Sequence, residues 1–587
     1  KRDVEDAGLL KVDILGVRMQ SAMAYAVAET ERVTGRRIDL DDPAQVPADD
    51  AETFQLIQSS QTLGCFQTES PGQRDLVARL RPENLHDLVI DISLFRPGPV
   101  AADMITPLLT ARAGTQPRYP HPDLEPVLRE THGVLVFHEQ IIRTLTVMTG
   151  CTLAFGDYTR RALSDPGLAG RIRDWFEREA RGRGYPPQTV EEVWGLVSSY
   201  AGFGFCKAHG LAFAVPSYQS AWLKAHHSAA FYAGVLTHDP GMYPKRLILA
   251  DARRRGVPIL PLDVNISDTA YRIELVSNAG GGGPVYGVRL ALCDVRGMSD
   301  AEARRITEGQ PYAALDDFVA RARPSRPVAE RLVQVGALDS FGRNRRDLLL
   351  HLTELHRRER GAPPGQLVLT GPQDTGTVQA LHLPDMDDAE RLAAELGTLG
   401  LDASRHLMAD HQELLDELGV VPAARLKDLP HGQAVLVAGA KSAVQTPPVR
   451  SGRRVIFSTL DDPTGVIDLA FFEDGHDAAH TVFHSWLLLV SGVVQRRRTG
   501  GSGTAVSVTG HAAWDLTHLA DLRRAHGLAA VADHLSTPAA STAPPQGAER
   551  VITTQTGFAL HPWADLQPPG DPVKQRRLWH RSPGSAG

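Results

Sequence analysis

Apolar and polar residues alternate along a few short stretches of the chain and follow a helical period along most of the others. Residues 8–18 alternate through Asp13 and end near Gly16, which predicts a strand. Between about residues 50 and 270 the pattern is mostly helical, with Pro- and Gly-rich turns between the helices. The clearest helical stretches are residues 19–35, 70–80, 138–149, 171–182, 188–202 and 217–237.

The second half of the chain changes character several times. Residues 257–276 favour short strands, and residues 286–340 favour paired helical hairpins. Five alternating stretches within 432–515 predict five strands with turns between them, which is typical of a small barrel. Two segments are rich in Pro, Gly, Ser or Asp, and we expect a linker at 356–395 and disorder at 535–549.

The composition is that of a globular protein with several domains. The 587 residues are 42% hydrophobic and 22% charged, and the net charge is -7, so contacts with nucleic acid must come from local basic patches. The four cysteines lack zinc spacing, which fits a reducing cytoplasm. We find no signal peptide and no apolar run as long as a membrane span. The first residue is Lys1, which we interpret as an internal sequence with a segment missing upstream.

Three short groups of residues are candidates for chemistry. Asp13 ends the first predicted strand, and Lys11 points to the same face; such a pair suits Mg²⁺ and a triphosphate, or is a surface ion pair. Arg160 and Arg161 lie about 100° apart on a helix and can flank one polyanion, or form a solvated helix end. A Gly-rich turn that carries Lys207 and His209 can approach a nucleotide, or cap a helix around a buried His.

Seven segments resemble, in order and spacing, motifs of the bacterial C-family DNA polymerases, the polymerase III alpha subunits. They are residues 8–16 (GLLKVDILG), 64–70 (GCFQTES), 93–99 (SLFRPGP), 133–140 (GVLVFHEQ), 156–163 (GDYTRRAL), 201–209 (AGFGFCKAH) and 217–226 (SYQSAWLKAH). The tail at 578–584 (LWHRSPG) is similar to that of the error-prone, DnaE-like (ImuC-type) branch.

The resemblance implies a multidomain α+β fold. The expected parts are a palm remnant with the catalytic strand (1–18), mostly helical fingers (19–275), a helix-hairpin-helix region (276–350), a linker and helical segment (351–430), an OB-fold barrel (431–515) and a C-terminal tail (516–587). It assigns to Asp13 the third catalytic, metal-binding carboxylate. It also implies nucleotide contacts for Lys11, Arg160, Arg161, Lys207 and His209.

The DNA-binding residues implied by the resemblance are spread along the chain. Arg96 precedes a rigid Pro-Gly-Pro turn, where it either contacts DNA or is a structural arginine of the turn. Residues 286–308 resemble a helix-hairpin-helix whose hairpin includes Arg296 and Gly297 and whose amides can bind phosphates. A second hairpin is expected at 328–341. On the barrel, Arg453, Arg454 and Phe457 are candidates for contact with single strands.

A clamp-binding peptide is a further expectation. Gln366, Leu367 and Leu369 resemble the Gln-Leu-x-Leu-Phe peptide that holds the sliding clamp, but Thr370 replaces the aromatic residue. We therefore expect weakened clamp binding, and a plain linker is the alternative.

The function expected is template-directed addition of deoxynucleotides to a primer 3′ end by an error-prone, translesion polymerase acting in replication and damage repair, with Mg²⁺. The family's first two catalytic acids precede the Asp13 strand and are not in this sequence, so the chain alone is expected to be inactive. The alternative is a non-catalytic DNA-binding remnant. An acidic run at 384–388 is similar to the motif that carries those two acids, but we interpret it as a helix N-cap.

Expected partners are primer–template DNA, deoxynucleoside triphosphates, the clamp (weakly or through another protein) and accessory translesion proteins, without a membrane.

Overall fold

The computed structural model describes residues 7–9, 16–94, 105–163, 165–200, 205–279, 283–342, 344–361, 382–446, 455–498, 504–536, 552–553 and 559–560. The α-helices of the first half are α1 (Arg18–Thr34), α2 (Ala51–Gln58), α3 (Pro71–Leu80), α4 (Leu85–Leu94), α5 (Ile105–Arg112), α6 (Glu125–Leu128), α7 (His138–Thr149), α8 (Leu153–Ala162), α9 (Pro166–Gly182), α10 (Pro187–Tyr200), α11 (Lys207–His226), α12 (Ser228–His238) and α13 (Lys245–Arg254).

The second half mixes helices and strands. Its helices are α14 (Asp300–Gly309), α15 (Leu315–Ala322), α16 (Arg326–Gln334), α17 (Arg345–Gly361), α18 (Asp388–Leu399), α19 (Gln412–Glu417), α20 (Ala479–His484) and α21 (Leu516–Ser536). Its strands are β1 (Ile259–Leu260), β2 (Arg272–Ala279), β3 (Gly283–Arg289), β4 (Ala434–Gln445), β5 (Ile456–Asp462), β6 (Gly465–Phe471), β7 (Leu487–Arg498), β8 (Thr504–Asp515), β9 (Ile552–Thr553) and β10 (Ala559–Leu560).

The chain forms two compact units, and the first consists of Lys1–Asp39, His226–Gly241 and Val257–Asp385. In it α1 packs closely against α12. Gly234 of α12 permits this approach because it has no Cβ, which would overlap the Ala22 carbonyl of α1. The three-stranded sheet has the order β1-β3-β2, with β1 parallel to β3. A buried Glu29 on α1 accepts a hydrogen bond from the Ile273 amide at 2.9 Å, which joins α1 to β2.

The remaining helices of this unit form hairpins. Ser299 caps α14 through a capping box with Glu302, which fixes where that helix begins. The helix α16 is followed by a turn at Gly336 and then by α17, so the second hairpin expected from the sequence is a helix pair.

The second unit consists of Leu40–Ala225, Met242–Gly256 and Met386–Gly587. Its first part is helical and holds α2–α11 and α13. Its second part holds a closed barrel of strand order β4-β5-β6-β8-β7. The strands β6 and β8 run parallel, whereas the other neighbours are antiparallel.

The barrel has the order of an OB-fold, in which the third strand lies beside the fifth, and α20 lies in the chain between the third and fourth strands. Its core consists of inward-pointing apolar residues such as Val437, Ile467 and Val490. Phe471 fills the interior next to Gly510, where a Cβ would overlap its ring. The predicted α+β architecture with a C-terminal five-stranded barrel is confirmed.

Several local predictions need correction. Residues 286–289 belong to β3, not to a helix, because their alternating side chains pair with β2, for example Val288 with Ile273. The helical stretch predicted at 217–237 is interrupted at His227, whose backbone is not helical. The expected linker at 356–395 begins inside α17 and ends inside α18. In the part of the chain that the structure describes, no helix is both long and apolar enough to cross a bilayer.

Candidate functional site

The arginine pair expected to bind a triphosphate lies at the end of α8. Thr152 caps this helix by accepting a hydrogen bond from the Phe155 amide at 3.2 Å. Gly156 lies against Ile142 of α7, so α8 approaches α7 closely and Thr159 is buried. Arg160 and Arg161 therefore lie in the last turn of a firmly packed helix, where the helix dipole favours positive charge.

Asp157 lies between the two arginines and binds both of them. Its Oδ1 accepts hydrogen bonds from Arg160 Nε at 3.2 Å and Nη2 at 2.9 Å, and its Oδ2 lies 2.6 Å from Arg161 Nη2. The side chain of Arg160 is 16% exposed and that of Arg161 is 70% exposed. The hydrogen bond from Arg160, helped by Arg161, outweighs partial burial and keeps the pKa of Asp157 below its usual value.

Lys207 begins α11 and is held by two glutamates. Its backbone amide donates to both carboxylate oxygens of Glu139, at 3.1 and 3.2 Å, and its ammonium group pairs with Glu130 at 2.5 Å. The same ammonium lies 5.5 Å from the centre of the Phe137 ring. A cation is therefore fixed at the start of α11, next to the first turn of α7.

The segment before Lys207 is joined to the one before α7. Phe137 and Phe205 form a parallel β-bridge, in which the His138 amide donates to the Phe205 carbonyl at 2.8 Å. Two of the family-like motifs, residues 133–140 and 201–209, thus meet through their backbones. Sequence reasoning singled out both motifs but gave no indication that they touch.

His209 lies in the first turn of α11 and not in a Gly-rich turn. Its ring is exposed and packs between Phe205 and Phe213, at centroid distances of 5.2 and 4.5 Å. The helix continues through Gly210. A glycine suits this position because a Cβ there would press on Ser93 of α4. The alternative of a buried histidine at this position is therefore wrong.

The first hairpin of the helix-hairpin-helix region is preceded by β3 and a 3-10 turn at Leu292–Asp294 rather than by a helix. Gly297 has φ +80°, which explains the glycine at this tight turn. Arg331 of α16 donates to the Arg296 carbonyl at 2.5 Å. The hairpin is thereby held to the next helix pair, and the Arg296 side chain is exposed.

The second hairpin is fixed in a similar way. Gly336 has φ +81°. Arg345 at the start of α17 donates to the Gln334 carbonyl at 3.0 Å and pairs with Asp339 at 2.9 Å. Both hairpins therefore combine a left-handed glycine with an arginine that binds a backbone carbonyl.

The barrel aromatics divide into core and surface. Phe471 is fully buried, whereas Phe472 is 42% exposed. Phe457 on β5 is half-buried and pairs across the sheet with Ala470 of β6. Only Phe457 and Phe472 among these three are accessible for stacking on bases.

Several sequence-predicted site residues lie outside the described residues. They are Lys11, Asp13, Arg96, Gln366, Leu367, Leu369, Arg453 and Arg454. Within the described ranges, no group of three or more His, Cys, Asp or Glu side chains can hold a metal ion. The acidic run near 385 is a helix N-cap as expected, because Asp387 forms a capping box with Glu390 at the start of α18.

Sequence reasoning missed a set of buried ion pairs in the second unit. Asp461 of β5 pairs with Arg246 of α13 at 2.8 Å and with His406 at 2.9 Å. Asp468 of β6 accepts two hydrogen bonds from Arg74 of α3, at 2.7 and 2.8 Å. These pairs dock the barrel on the helical part of its unit. Their members lie far apart in the sequence, so no local pattern could have found them.

Two family models match the chain. The finger domain of the bacterial DNA polymerase III alpha subunit matches residues 19–184, and a helix-hairpin-helix motif matches residues 256–348. The first match lies within the expected fingers (19–275), and the second overlaps the expected helix-hairpin-helix region (276–350) but begins 20 residues before it.

The chain is also similar to proteins named error-prone DNA polymerase. That of Symbiobacterium thermophilum is 34% identical over 529 residues, which is 82% of this chain and 48% of that protein. Those of Teredinibacter turnerae and Mycolicibacterium paratuberculosis are 32% and 33% identical, over 84% and 80% of this chain and 47% and 42% of their own lengths. The chain thus spans about half the length of the curated relatives it matches. The chain therefore carries a match to the finger domain of the bacterial DNA polymerase III alpha subunit and a helix-hairpin-helix motif, and over four fifths of its length it is similar to proteins named error-prone DNA polymerase.

Proposed function

We propose that the chain is part of a DNA-directed DNA polymerase of the error-prone, translesion type, which adds deoxynucleotides to a primer 3′ end during replication and repair of damaged DNA. The observation that carries this proposal is the identity of about one third with error-prone DNA polymerases across four fifths of the chain. The matched finger domain supports it independently.

In this proposal the cations of the second unit neutralise the triphosphate of the incoming nucleotide. Arg160 and Arg161 offer planar guanidinium groups, which suit phosphate oxygens, and Lys207 offers a point charge at the start of α11. His209 is exposed beside Lys207 and is able to contact the same ligand. Lys11 is assigned to the nucleotide by the family resemblance.

The reaction is attack of the primer 3′-hydroxyl oxygen on the α-phosphorus. One P–O bond forms to the primer, the bond to the pyrophosphate breaks, and the hydroxyl proton is lost to solvent. Positive groups that face the phosphates stabilise the charge that develops on the departing pyrophosphate. Arg160, Arg161 and Lys207 are suited to this role.

A divalent metal generally supports such chemistry, but the described residues do not form a metal site. The acid that the resemblance assigns to Mg²⁺, Asp13, lies outside the described residues. Mg²⁺ binding at Asp13 is part of the proposal.

Primer–template DNA is the proposed partner of the helix-hairpin-helix region and the barrel. Backbone amides at the Gly297 turn and the exposed Arg296 side chain suit phosphates without reading sequence. Phe457 offers a half-buried ring for stacking, and the resemblance adds Arg96, Arg453 and Arg454 as contacts.

Protein partners and location are proposed from the resemblance alone. The sliding clamp would be held weakly through Gln366, Leu367 and Leu369, or through another protein, and accessory translesion proteins would join the complex. We place this activity in the cytoplasm.

The test uses the native protein, purified from the cells that make it, and its Asp13→Ala variant. Primer extension and primer–template affinity are measured for both. We expect extension that the substitution abolishes while DNA affinity changes little. DNA binding without extension in either protein would support the alternative of a non-catalytic DNA-binding protein, and extension that survives the substitution would overturn the role of Asp13.

A further inference from the structure

Arg160 and Arg161 are alike in sequence but are held differently by Asp157. Arg160 gives two N–H groups, from Nε and Nη2, to one carboxylate oxygen. Arg161 gives one Nη2 group to the other oxygen. Neither guanidinium has another hydrogen-bond or ion-pair partner among the residues that the structure describes. Asp157 is therefore the one group in the described ranges that orients both side chains.

We propose that Asp157 is a positioning residue, which holds Arg160 and Arg161 as a pair whose remaining N–H groups receive the phosphates of the nucleotide. This inference rests on the proposed function, because it deepens the role assigned there to the two arginines. Asp157 itself is not expected to touch the nucleotide.

The number of donors supports positioning rather than simple neutralisation. A guanidinium carries five N–H groups, and the contacts with Asp157 use two on Arg160 and one on Arg161. Most of the donors of both groups are left for a ligand. Long arginine side chains otherwise lose much rotamer freedom when they bind, and a carboxylate that already fixes them removes part of that cost.

The packing of α8 supports the same conclusion. Asp157 follows Gly156, which lies against Ile142 of α7, so the carboxylate is carried by a part of α8 that cannot shift easily. Its partners are three and four residues later, which is the spacing at which helix side chains meet. The arginine pair is thus fixed relative to α7, whose first turn also binds the Lys207 amide through Glu139.

The chain contains a matched control on the next helix. Glu177 of α9 also bridges two arginines, since its Oε1 lies 2.7 Å from Arg173 Nε and its Oε2 lies 3.2 Å from Arg181 Nη2. This bridge lies outside the family-like motif. Replacing Glu177 removes the same kind of surface ion pair without touching the proposed triphosphate-binding pair.

The experiment measures binding of dATP and of inorganic tripolyphosphate to the 587-residue chain by calorimetry at fixed ionic strength. Asp157→Asn and Asp157→Ala are expected to weaken both ligands by about fivefold to tenfold, the cost of ordering two long side chains at binding. Asp157→Glu restores most of the affinity, and Glu177→Gln leaves it unchanged. Thermal midpoints of all variants stay close to that of the parent chain, because single ion pairs that are only partly buried add little stability.

Three further outcomes separate the inference from the function on which it rests. Unchanged or tighter binding in Asp157→Asn, with weaker binding in Arg160→Ala and Arg161→Ala, would overturn positioning and leave the arginines as triphosphate ligands. An equal loss in Glu177→Gln would also overturn it, because the effect would then be general to surface charge. No effect of Arg160→Ala and Arg161→Ala would remove the triphosphate role itself.

Discussion

Arg246 of α13 and Asp461 of β5 form a bidentate ion pair, with Nη1–Oδ2 and Nη2–Oδ1 distances of 2.9 and 2.8 Å. Both side chains are buried, at 4% and 0% exposure. His406 and Ser442 also bind the Asp461 carboxylate, so each of its two oxygens has two hydrogen-bond partners. A buried charge is tolerated only when it is satisfied in this way, and the barrel is docked by it.

Replacing Arg246 by Met should destabilise the second unit, because it leaves the buried Asp461 carboxylate without its main cation. Removal of one partner of a buried pair typically costs about 3–5 kcal/mol in the free energy of unfolding. Urea denaturation of the chain measures this change. The exposed pair Arg524–Asp521 is the control, and Arg524→Ala should have little effect. Equal effects of the two substitutions would contradict a docking role for Arg246.

The stability carried by Asp461 should disappear in acid. Burial alone would raise the pKa of Asp461, but the hydrogen bond with His406 and the pair with Arg246 outweigh it and lower the pKa to about 2. A depressed pKa stabilises the fold above the unfolded-state value near 3.8 and loses that contribution as the pH falls toward 2. The difference in unfolding free energy between the parent chain and Asp461→Asn should therefore shrink between pH 5 and pH 2.5. A difference that stays constant over this range would show that Asp461 is not the group responsible.

These contacts mark the limit of what the sequence could predict. The five barrel strands were predictable, because alternation of apolar and polar residues is a local pattern that survives in the fold. The strand β3 was not, because its pairing with β2 depends on a neighbour that the periodicity of 286–308 does not reveal. In the candidate site, the motifs located Arg160, Arg161 and Lys207. The carboxylates that hold them, Asp157 and Glu139, became evident only from side-chain geometry.

Two aspartates on α4 should respond in opposite directions to truncation. Asp87 is buried and accepts hydrogen bonds from Arg112 at 2.6 Å through both oxygens. Asp91 is fully buried, and within the described part of the chain neither of its oxygens has a hydrogen-bond partner. Asp91→Ala should therefore stabilise the chain by about 1 kcal/mol, whereas Asp87→Ala should destabilise it by about 3 kcal/mol. Denaturation at pH 7 compares the two.

The pH dependence gives a second check on Asp91. Burial raises the pKa of Asp91 well above its usual value. The folded state then holds a proton that the unfolded state releases, so this group lowers the stability of the parent chain as the pH rises from about 4 toward the raised pKa. The gain in unfolding free energy from Asp91→Ala should therefore grow over that pH interval. An advantage that does not change with pH would indicate that Asp91 is paired in solution.

Two helical glycines should also differ in the effect of an added methyl group. At Gly234 in α12 a Cβ would overlap the Ala22 carbonyl of α1, whereas at Gly195 in α10 no described atom lies within 4 Å. Gly234→Ala should cost about 1–3 kcal/mol through forced separation of α1 and α12. Gly195→Ala should gain about 0.5–1 kcal/mol, because alanine favours the helix. Thermal denaturation distinguishes the two, and a neutral Gly234→Ala would argue against close packing of α1 on α12.

Lys207 allows the charge of the candidate site to be separated from its structure. The contact that caps α11 is made by the backbone amide of Lys207 with Glu139, and this contact survives when the side chain is shortened. Lys207→Ala should therefore leave the thermal midpoint unchanged while it weakens tripolyphosphate binding by about tenfold, the loss of one close charge contact. Lys427→Ala, at an exposed position of the second unit, is the control and should change neither the thermal midpoint nor the tripolyphosphate affinity. Glu139→Gln tests the other half of the argument, because it removes the charged cap of α11 and should lower the midpoint. If Lys207→Ala lowered the midpoint without altering tripolyphosphate affinity, Lys207 would be a structural residue and not a ligand of the triphosphate.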